Sequence, residues 1–448
     1  MAAKKAKKPI AKARESKKKS SVVKAEAPET PDDDFFESKD EPTVDRSTVA
    51  PKNDRFKALA AVAKQFNGAK PAREVLSVVR AMPTLFVQLD HATRVGGLPI
   101  ERVMTAHGPS NHGKTLMAAG LGISFLRNDS FFHLIDAERT TPITWMEQLY
   151  PGISEHPGFT ADRPETYEEA VANVRQWATA IGEAKAKGRI PAHTTGLAVV
   201  DSVRKLVPQN FFAKIAKDQD DKGSVDGFGG RAAQMKAALN AAWLDELVGL
   251  LEQTGTAMLF ITREDEQTEG TGMFAKKVVK VGGGRALIYD ASLVIRIERE
   301  KWLTIGKREE KNEKIIGERH RVTITKTKVG GKDGKTTVCH FHSSNGTITP
   351  TGFDRARDVL DLAMRFEVVQ SKGTWLSFQG SRWQGVPQAL VKMNDNPAIT
   401  DAMEIACREE FATAKQIEFD EDGVVRGEAP PGPKDDMEAV FGTPGGAS

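Results

Sequence analysis

The chain has 448 residues, of which 39% are apolar and 28% charged, with a formal net charge of +3 and two cysteines, Cys339 and Cys407. That length allows about two or three domains, and that balance is globular rather than fibrous. The charge is too small to identify a nucleic-acid binder, and the cysteines, too few and too far apart for a disulfide framework or a zinc cluster, read as small core residues in a reducing compartment.

Lys4 to Lys24 is dense in lysine and Glu26 to Asp45 reverses the sign, with Asp32-Asp33-Asp34 at its centre. Such blocks cannot bury enough surface to offset ordering entropy, so residues 1 to about 52 read as a disordered basic-then-acidic tail. It is either a solvated extension or a weak electrostatic contact for DNA or another anionic partner. No hydrophobic signal region follows the lysines and no apolar run reaches the length of a membrane span, so the expected compartment is the cytoplasm. Asp54 to Phe66 then sets Phe56, Leu59, Ala63 and Phe66 on one helical stripe that Asn67-Gly68 ends.

Val103 to Ala106 reads as a buried strand and Leu116 to Leu126 as a helix. Between them, Gly108-Pro109-Ser110-Asn111-His112-Gly113-Lys114-Thr115 fits the phosphate-binding loop GxxxxGK[ST]. Its glycines let successive N–H groups turn toward one anion, and the helix N-terminus adds partial positive charge. Lys114 reaches the outer phosphates, and the Thr115 hydroxyl can ligate magnesium. A nucleoside triphosphate with Mg2+ is the expected ligand.

Three further apolar runs end in polar residues. Phe131 to Ile135 leads into Asp136-Ala137-Glu138, Gly196 to Val200 into Asp201-Ser202, and Ala257 to Ile261 into Thr262-Arg263. Continuous rather than alternating hydrophobicity is the pattern of parallel strands covered on both faces, and open α/β sheets bind ligands at the carboxyl ends of such strands. Asp201 is therefore expected to hold a magnesium-bound water, and Glu138 to act as base toward the water that attacks the γ-phosphate. Any one of these acids, taken alone, serves equally well as a helix N-cap.

Pro208 to Phe228 is charged and glycine-rich and reads as a mobile loop ahead of a long helix beginning near Gly230. Glu264 to Gly284 lacks a clear period, and long structureless segments in compact domains are functional or disordered. It carries Met273, Phe274, Lys276, Lys277 and Lys280, a composition that suits single-stranded nucleic acid: lysines neutralise phosphates while apolar side chains insert between bases. Its acidic start, Glu264-Asp265-Glu266, does not suit that role. Arg319 to Lys328 alternates as a half-exposed strand should, and His340 and His342, flanking Phe341 without further ligand candidates, read as surface rather than metal-binding. Two amphipathic helices are expected near Arg355 to Phe366 and Ala398 to Ala414, with Trp375 and Trp383 between them as core residues rather than base-stacking ones. Glu418 to Ser448, acidic and rich in proline and glycine, reads as a disordered tail.

The order of these motifs resembles that of the RecA-type DNA strand-exchange recombinases, in their bacterial and phage branch. Gly96-Gly97-Leu98-Pro99, the phosphate loop, Ile135-Asp136-Ala137-Glu138, Val199-Val200-Asp201-Ser202-Val203, Gly283-Gly284-Arg285-Ala286-Leu287 before Ala291-Ser292, and Lys326-Thr327-Lys328 carry the resemblance over roughly Asn53 to Glu410. It implies an α/β fold: a RecA-like P-loop NTPase core with a mostly parallel sheet over 80–345. A helix and strand at 53–79 would pack on a neighbouring subunit, a small α+β C-terminal domain at 346–417 would gather duplex DNA, and the acidic tail at 418–448 would compete with DNA for basic surfaces.

The same resemblance makes Pro208 to Phe228 and Glu264 to Gly284 the two DNA-binding loops, with Arg231 contacting phosphate and Gly283, Gly284 and Arg285 closing the second. Trp145 joins the nucleotide-binding set. Lys326 and Lys328 would reach the neighbour's ATP in trans, in the manner of an arginine finger. Arg263 stands where the resembled proteins carry a glutamine that senses the γ-phosphate; it would either do that task with full charge or pair permanently with a nearby acid. The implied activity is ATP-dependent homologous pairing and strand exchange by a helical filament on single-stranded DNA, with homologous duplex as second partner and ssDNA-binding or mediator proteins as accessory ones. The implied location is at the nucleoid, or in the host cytoplasm for a phage-encoded protein. A ring helicase of the same fold, or an ATP-regulated ssDNA-coating protein, are the alternatives from other classes.

Overall fold

The computed structural model describes residues 79–209, 228–269, 276–306, 313–343 and 351–415, together with 62, 418–419 and 425–426. Of the expected helix at Asp54 to Phe66, only Val62 falls within the described residues, and it is helical and exposed. Both expected tails lie outside them, apart from a two-residue ladder, Glu418–Phe419 against Val425–Arg426.

A small ladder of β1 (Ala81–Met82) and β2 (Leu98–Pro99) brackets α1 (Val87–Ala92) and leads into the main sheet. β3 (Val103–His107) feeds the phosphate loop and α2 (Lys114–Leu126). Then follow β4 (Phe131–Asp136), α3 (Ile143–Leu149), β5 (Phe159–Asp162), α4 (Tyr167–Ala186) and β6 (Gly196–Asp201). α5 (Phe228–Thr254) returns the chain to β7 (Ala257–Ile261). A hairpin of β8 (Glu264–Glu269) and β9 (Lys276–Val281) stands between β7 and the short α6 (Ala286–Tyr289). β10 (Leu293–Ile305), β11 (Lys314–Thr327), β12 (Thr336–His342) and β13 (Gly352–Phe353) complete a nine-stranded sheet in the order β13-β12-β11-β10-β3-β7-β6-β4-β5. From β10 to β5 every neighbouring pair is parallel; from β10 to β13 every pair is antiparallel.

Continuous apolar strands follow from burial on both faces, since successive side chains point to opposite sides. Leu197, Val199, Leu259 and Ile261 pack with Met117 and Leu121 of α2, while Ala198, Val200, Met258 and Phe260 pack with Val174 of α4 and Trp243 and Leu247 of α5. Each buried Val, Leu, Ile, Met or Phe side chain among these contributes about 1.5–3 kcal/mol. α2 lies close against the sheet: a Cβ on its Gly122 would come 2.5 Å from the Phe132 ring.

A second core gathers around α7 (Arg355–Arg365), with Asp354 as its N-cap accepting from the Arg357 N–H at 2.9 Å. A three-stranded ladder of β14 (Gln370–Lys372), β15 (Trp375–Phe378) and β16 (Ser381–Gln384) follows, then α8 (Gly385–Asp395) and α9 (Pro397–Lys415). The two expected amphipathic helices are α7 and α9. Trp383 is buried here as expected, but Trp375 is 38% exposed, with the Arg382 guanidinium 4.6 Å from its ring centroid. Trp375 is therefore not a core residue: side chains alternate along β15, and Leu376 and Phe378 hold its buried face. Cys339 and Cys407 are both buried thiols. His340 and His342 are half-buried rather than surface residues: burial pushes His340 down to about 4, and His342 Nε2 lies 2.9 Å from Asp354 Oδ2.

Candidate functional site

The phosphate loop turns where its sequence requires. Gly108 has φ +156° and Gly113 φ +79°. A Cβ on Gly108 would come 2.0 Å from the Ile297 carbonyl oxygen, and one on Gly113 would come 2.3 Å from the His320 ring, so neither position admits a side chain. Lys114 opens α2, whose N-terminus thus faces the end of β3. Its ammonium donates to the Pro109 carbonyl at 2.6 Å; burial pushes its pKa down, with Asp201 and Glu138 opposing.

Three strands deliver acids and hydroxyls to the same place. The Thr115 hydroxyl donates to Asp201 Oδ2 at 2.5 Å. The Ser202 hydroxyl donates to Glu138 Oε1 at 2.7 Å, and the Glu138 N–H donates to the Asp201 carbonyl at 3.0 Å. Burial raises the Asp201 carboxyl to about 6, with Glu138 and Asp136 adding to the rise and Thr115 and Lys114 opposing it. These groups line one cleft of about 470 Å3, together with Ser110, Asn111, His112, Trp145 and Arg263. Its size and its convergent polar groups suit a nucleotide.

Arg263 reaches this cleft from the end of β7, and its buried Nε has no hydrogen-bond partner among the described residues. The acids that follow it are engaged elsewhere. Glu264 Oε1 lies 2.9 Å from His107 Nδ1 and accepts from Arg296 Nε at 2.7 Å; Asp265 accepts two bonds from Arg204 Nη1, at 2.7 and 2.8 Å. The Glu264 N–H also donates to the Gly108 carbonyl at 3.1 Å, tying the root of the β8–β9 hairpin to the first residue of the phosphate loop.

Glu264 to Gly284 is thus not a structureless segment: most of it is an antiparallel hairpin, in a register that sets Lys280 opposite Asp265, Lys277 opposite Thr268 and Lys276 opposite Glu269. Lys280 is exposed. Gly283 and Gly284, at φ +90° and +99°, turn the chain into α6 against α5: the Gly283 carbonyl accepts from Asn240 Nδ2 at 2.6 Å, and a Cβ on Gly284 would lie 2.8 Å from that of Ala237. Arg285, the N-cap of α6, is exposed. Arg231 sits in the first turns of α5, and Met273 and Phe274 lie outside the described residues, as do residues 210–227 of the expected first loop.

Lys326 and Lys328 do not line the cleft of their own chain. The Lys326 ammonium donates to the carbonyls of Ile288 at 2.6 Å, Ala291 at 3.1 Å and Tyr289, and that of Lys328 to Tyr289 at 2.8 Å. Both lysines therefore cap the carboxyl end of α6, where cations are favoured. Lys328 is level with Ser292, whose N–H donates to Val103, at the end of β3 remote from the phosphate loop.

Sequence reasoning passed over Ser202, His107, Arg296 and Arg299. The first could have been found as the hydroxyl beside the expected magnesium acid; the others act through strand neighbours far apart in sequence, which no local pattern reveals.

A family profile described as the RecA N-terminal domain matches residues 57–340. Among similar curated proteins are the RecA proteins of Bifidobacterium breve, 27% identical over 82% of this chain and 84% of its own length, and of Bifidobacterium longum, 27% identical over 86% and 88%. The RecA protein of Clostridium tetani is 25% identical over 79% of this chain and 90% of its own length. With a profile match over more than half its length and a phosphate loop, strand-end acids and sheet arranged as described, this chain belongs to the RecA family.

Proposed function

We propose that the protein is an ATP-dependent homologous recombinase that assembles on single-stranded DNA and pairs it with homologous duplex, hydrolysing ATP as it does so. The observation that carries this reading is the convergence of the phosphate loop, Asp201 and Glu138 in one cleft, with Arg263 in its wall and, just beyond it, the root of a hairpin bearing Lys276, Lys277 and Lys280. The loop amides and Lys114 would hold the phosphates of ATP, and Thr115 and Asp201 the Mg2+ with its water, a role for which a buried acid already bonded to that hydroxyl is suited. Glu138, steadied by Ser202, would take a proton from the attacking water.

Bound Mg2+ supplies charge neutralisation during phosphoryl transfer. Arg263 would sense the γ-phosphate and pass its presence to the hairpin, and the hairpin lysines would neutralise the phosphates of the strand. Homology would be read by base pairing, with protein contacts largely independent of sequence. Lys326 and Lys328, remote from their own cleft, would serve the cleft of the next subunit, which makes turnover depend on assembly.

Electron microscopy with single-stranded DNA and a non-hydrolysable ATP analogue, beside a strand-exchange assay, tests the reading. Helical filaments and exchange are expected. Closed rings that unwind a forked duplex without homologous DNA would point to a motor instead, and irregular coating with no DNA-stimulated turnover to a regulatory binding protein.

A further inference from the structure

The outer wall of the phosphate loop is built by the β10–β11 pair. Ile297 backs Gly108 and the His320 ring backs Gly113, as the close approaches at both glycines record. Between them stands Arg299. The ladder shifts register between Arg299, opposite His320, and Lys301, opposite Arg319, so that Glu300 is an extra residue. Such bulges re-aim side chains beside functional sites.

Arg299 meets the loop twice: its N–H donates to His112 Nδ1 at 3.0 Å, and its guanidinium Nη1 donates to the Asn111 carbonyl at 2.9 Å. The guanidinium is held in turn by Glu318, 3.4 Å away, and lies 3.9 Å from the centroid of the Trp302 ring. Burial pushes Glu318 up, but His320 and Arg299 hold it below the usual carboxylate range, so it remains an anion available to Arg299. Asn111 itself has φ +60°, a left-handed conformation that persists when its surroundings hold it.

We propose that Arg299 is a positioning residue for the nucleotide site, fixing the Asn111–His112 peptide so that its N–H serves the phosphate. In a planar trans peptide the carbonyl and the following N–H point in opposite directions. With the Asn111 carbonyl drawn outward to the guanidinium, the His112 N–H is turned away from Arg299, toward the concave side of the loop. Without that donor the peptide is free to rotate, and the loop loses one of its preorganised amides. The inference rests on the reading of the cleft as a nucleotide site.

The test titrates MgADP, without DNA, into the full-length parent chain and into Arg299→Met and Arg299→Lys, by calorimetry, and follows hydrogen exchange of the His112 amide with and without MgADP. Methionine keeps an unbranched stem against Trp302 and loses the donors; lysine returns one donor. Arg299→Met should bind MgADP about tenfold more weakly, the loss of one hydrogen bond from a charged group. It should also lose MgADP-induced protection at His112 while β7 stays protected, which a merely structural loss would not do. Arg299→Lys should recover part of both.

A parent chain that does not bind MgADP would remove the nucleotide reading and this inference with it. A parent that binds, beside an Arg299→Met that binds equally and protects His112 equally, would overturn the inference alone. Should Arg299→Met fail to fold, Arg299→Lys decides: affinity and protection between parent level and loss are expected, and parent values of both would overturn the assignment.

Discussion

At the scale of single residues the cleft is built at a cost to stability. Asp201 has a folded pKa raised from 3.8 to about 6. Between those values the folded chain holds a proton that the unfolded chain has released, so this group's contribution to stability falls as pH rises through that window. In the absence of Mg2+, Asp201→Asn should therefore stabilise the protein above pH 6 by roughly 1–3 kcal/mol, with the gain vanishing below about pH 4. Calorimetric melting at several pH values measures it, and Mg2+-dependent nucleotide binding should be lost in the same variant. Equal melting of variant and parent at neutral pH would show that the carboxyl is not strained by burial.

Arg263 gives a second residue-scale expectation, because Glu264 and Asp265 are already bonded to other groups and do not hold it. Arg263→Ala should bind ATP nearly as the parent does but lose the ATP-induced gain in single-strand affinity, and Arg263→Gln should keep part of that gain. A full ATP-induced gain in the alanine variant would sink the sensor role. The phosphate loop was legible in the sequence because all its chemistry lies within eight consecutive positions flanked by a strand and a helix. The Glu264–His107–Arg296 cluster was not, because it joins three strands from distant parts of the chain.

At the scale of elements, apolar strands were readable and polar ones were not. β7 spans Ala257–Ile261 as its composition predicts, whereas β8, Glu264–Glu269, contains no apolar residue and offers no period to count. Its pairing with β9 becomes visible only in register, where acidic positions of β8 stand opposite lysine positions of β9, Asp265 with Lys280 and Glu269 with Lys276. α4 went unread although Thr166 and Glu169 announce its start: the Thr166 hydroxyl accepts from the Glu169 N–H at 3.1 Å. If the hairpin is the DNA surface, replacing Lys276, Lys277 and Lys280 by alanine should lower the salt dependence of single-strand binding by about 0.7 in log–log slope for each phosphate left without its lysine. An unchanged slope would move the interface elsewhere.

At the scale of the whole molecule, the C-terminal unit is fastened to the core by buried polar contacts. Asp90 of α1, fully buried, accepts from the Thr84 N–H at 2.7 Å and from Arg408 Nη2 of α9 at 2.9 Å. Burial raises Asp90 to about 6, with Arg408 opposing. Gln88 donates to Asp358 of α7 at 2.9 Å beside it. Breaking a buried pair by removing one partner costs about 3–5 kcal/mol, less where the stranded acid can take up a proton. Arg408→Met should thus destabilise the protein at alkaline pH by several times the effect of an exposed substitution, and the loss should shrink as pH falls toward 6 and level off below it, because without Arg408 the buried Asp90 takes up its proton at a higher pH than in the parent. A pH-independent loss in urea unfolding would mean that packing, not charge, fastens the unit.

A site shared between copies of the chain, as proposed, would be the feature least legible in sequence and in a single subunit alike, because Lys326 and Lys328 look like ordinary helix-capping lysines where they stand. Their distance from their own cleft makes the sharing of a site between subunits testable. Alanine at both positions should leave the monomer folded and abolish DNA-stimulated turnover. Glu138→Gln should bind ATP but hydrolyse it on the order of 10² to 10⁴ times more slowly, the usual contribution of a positioned base. In a mixture, an intact Glu138 cleft from the lysine-deficient chain can lie beside intact lysines from the other, so activity should return in proportion to the mixed interfaces. Turnover that stays at the sum of the separate variants, in filaments shown to be mixed, would place the action of these lysines within one chain.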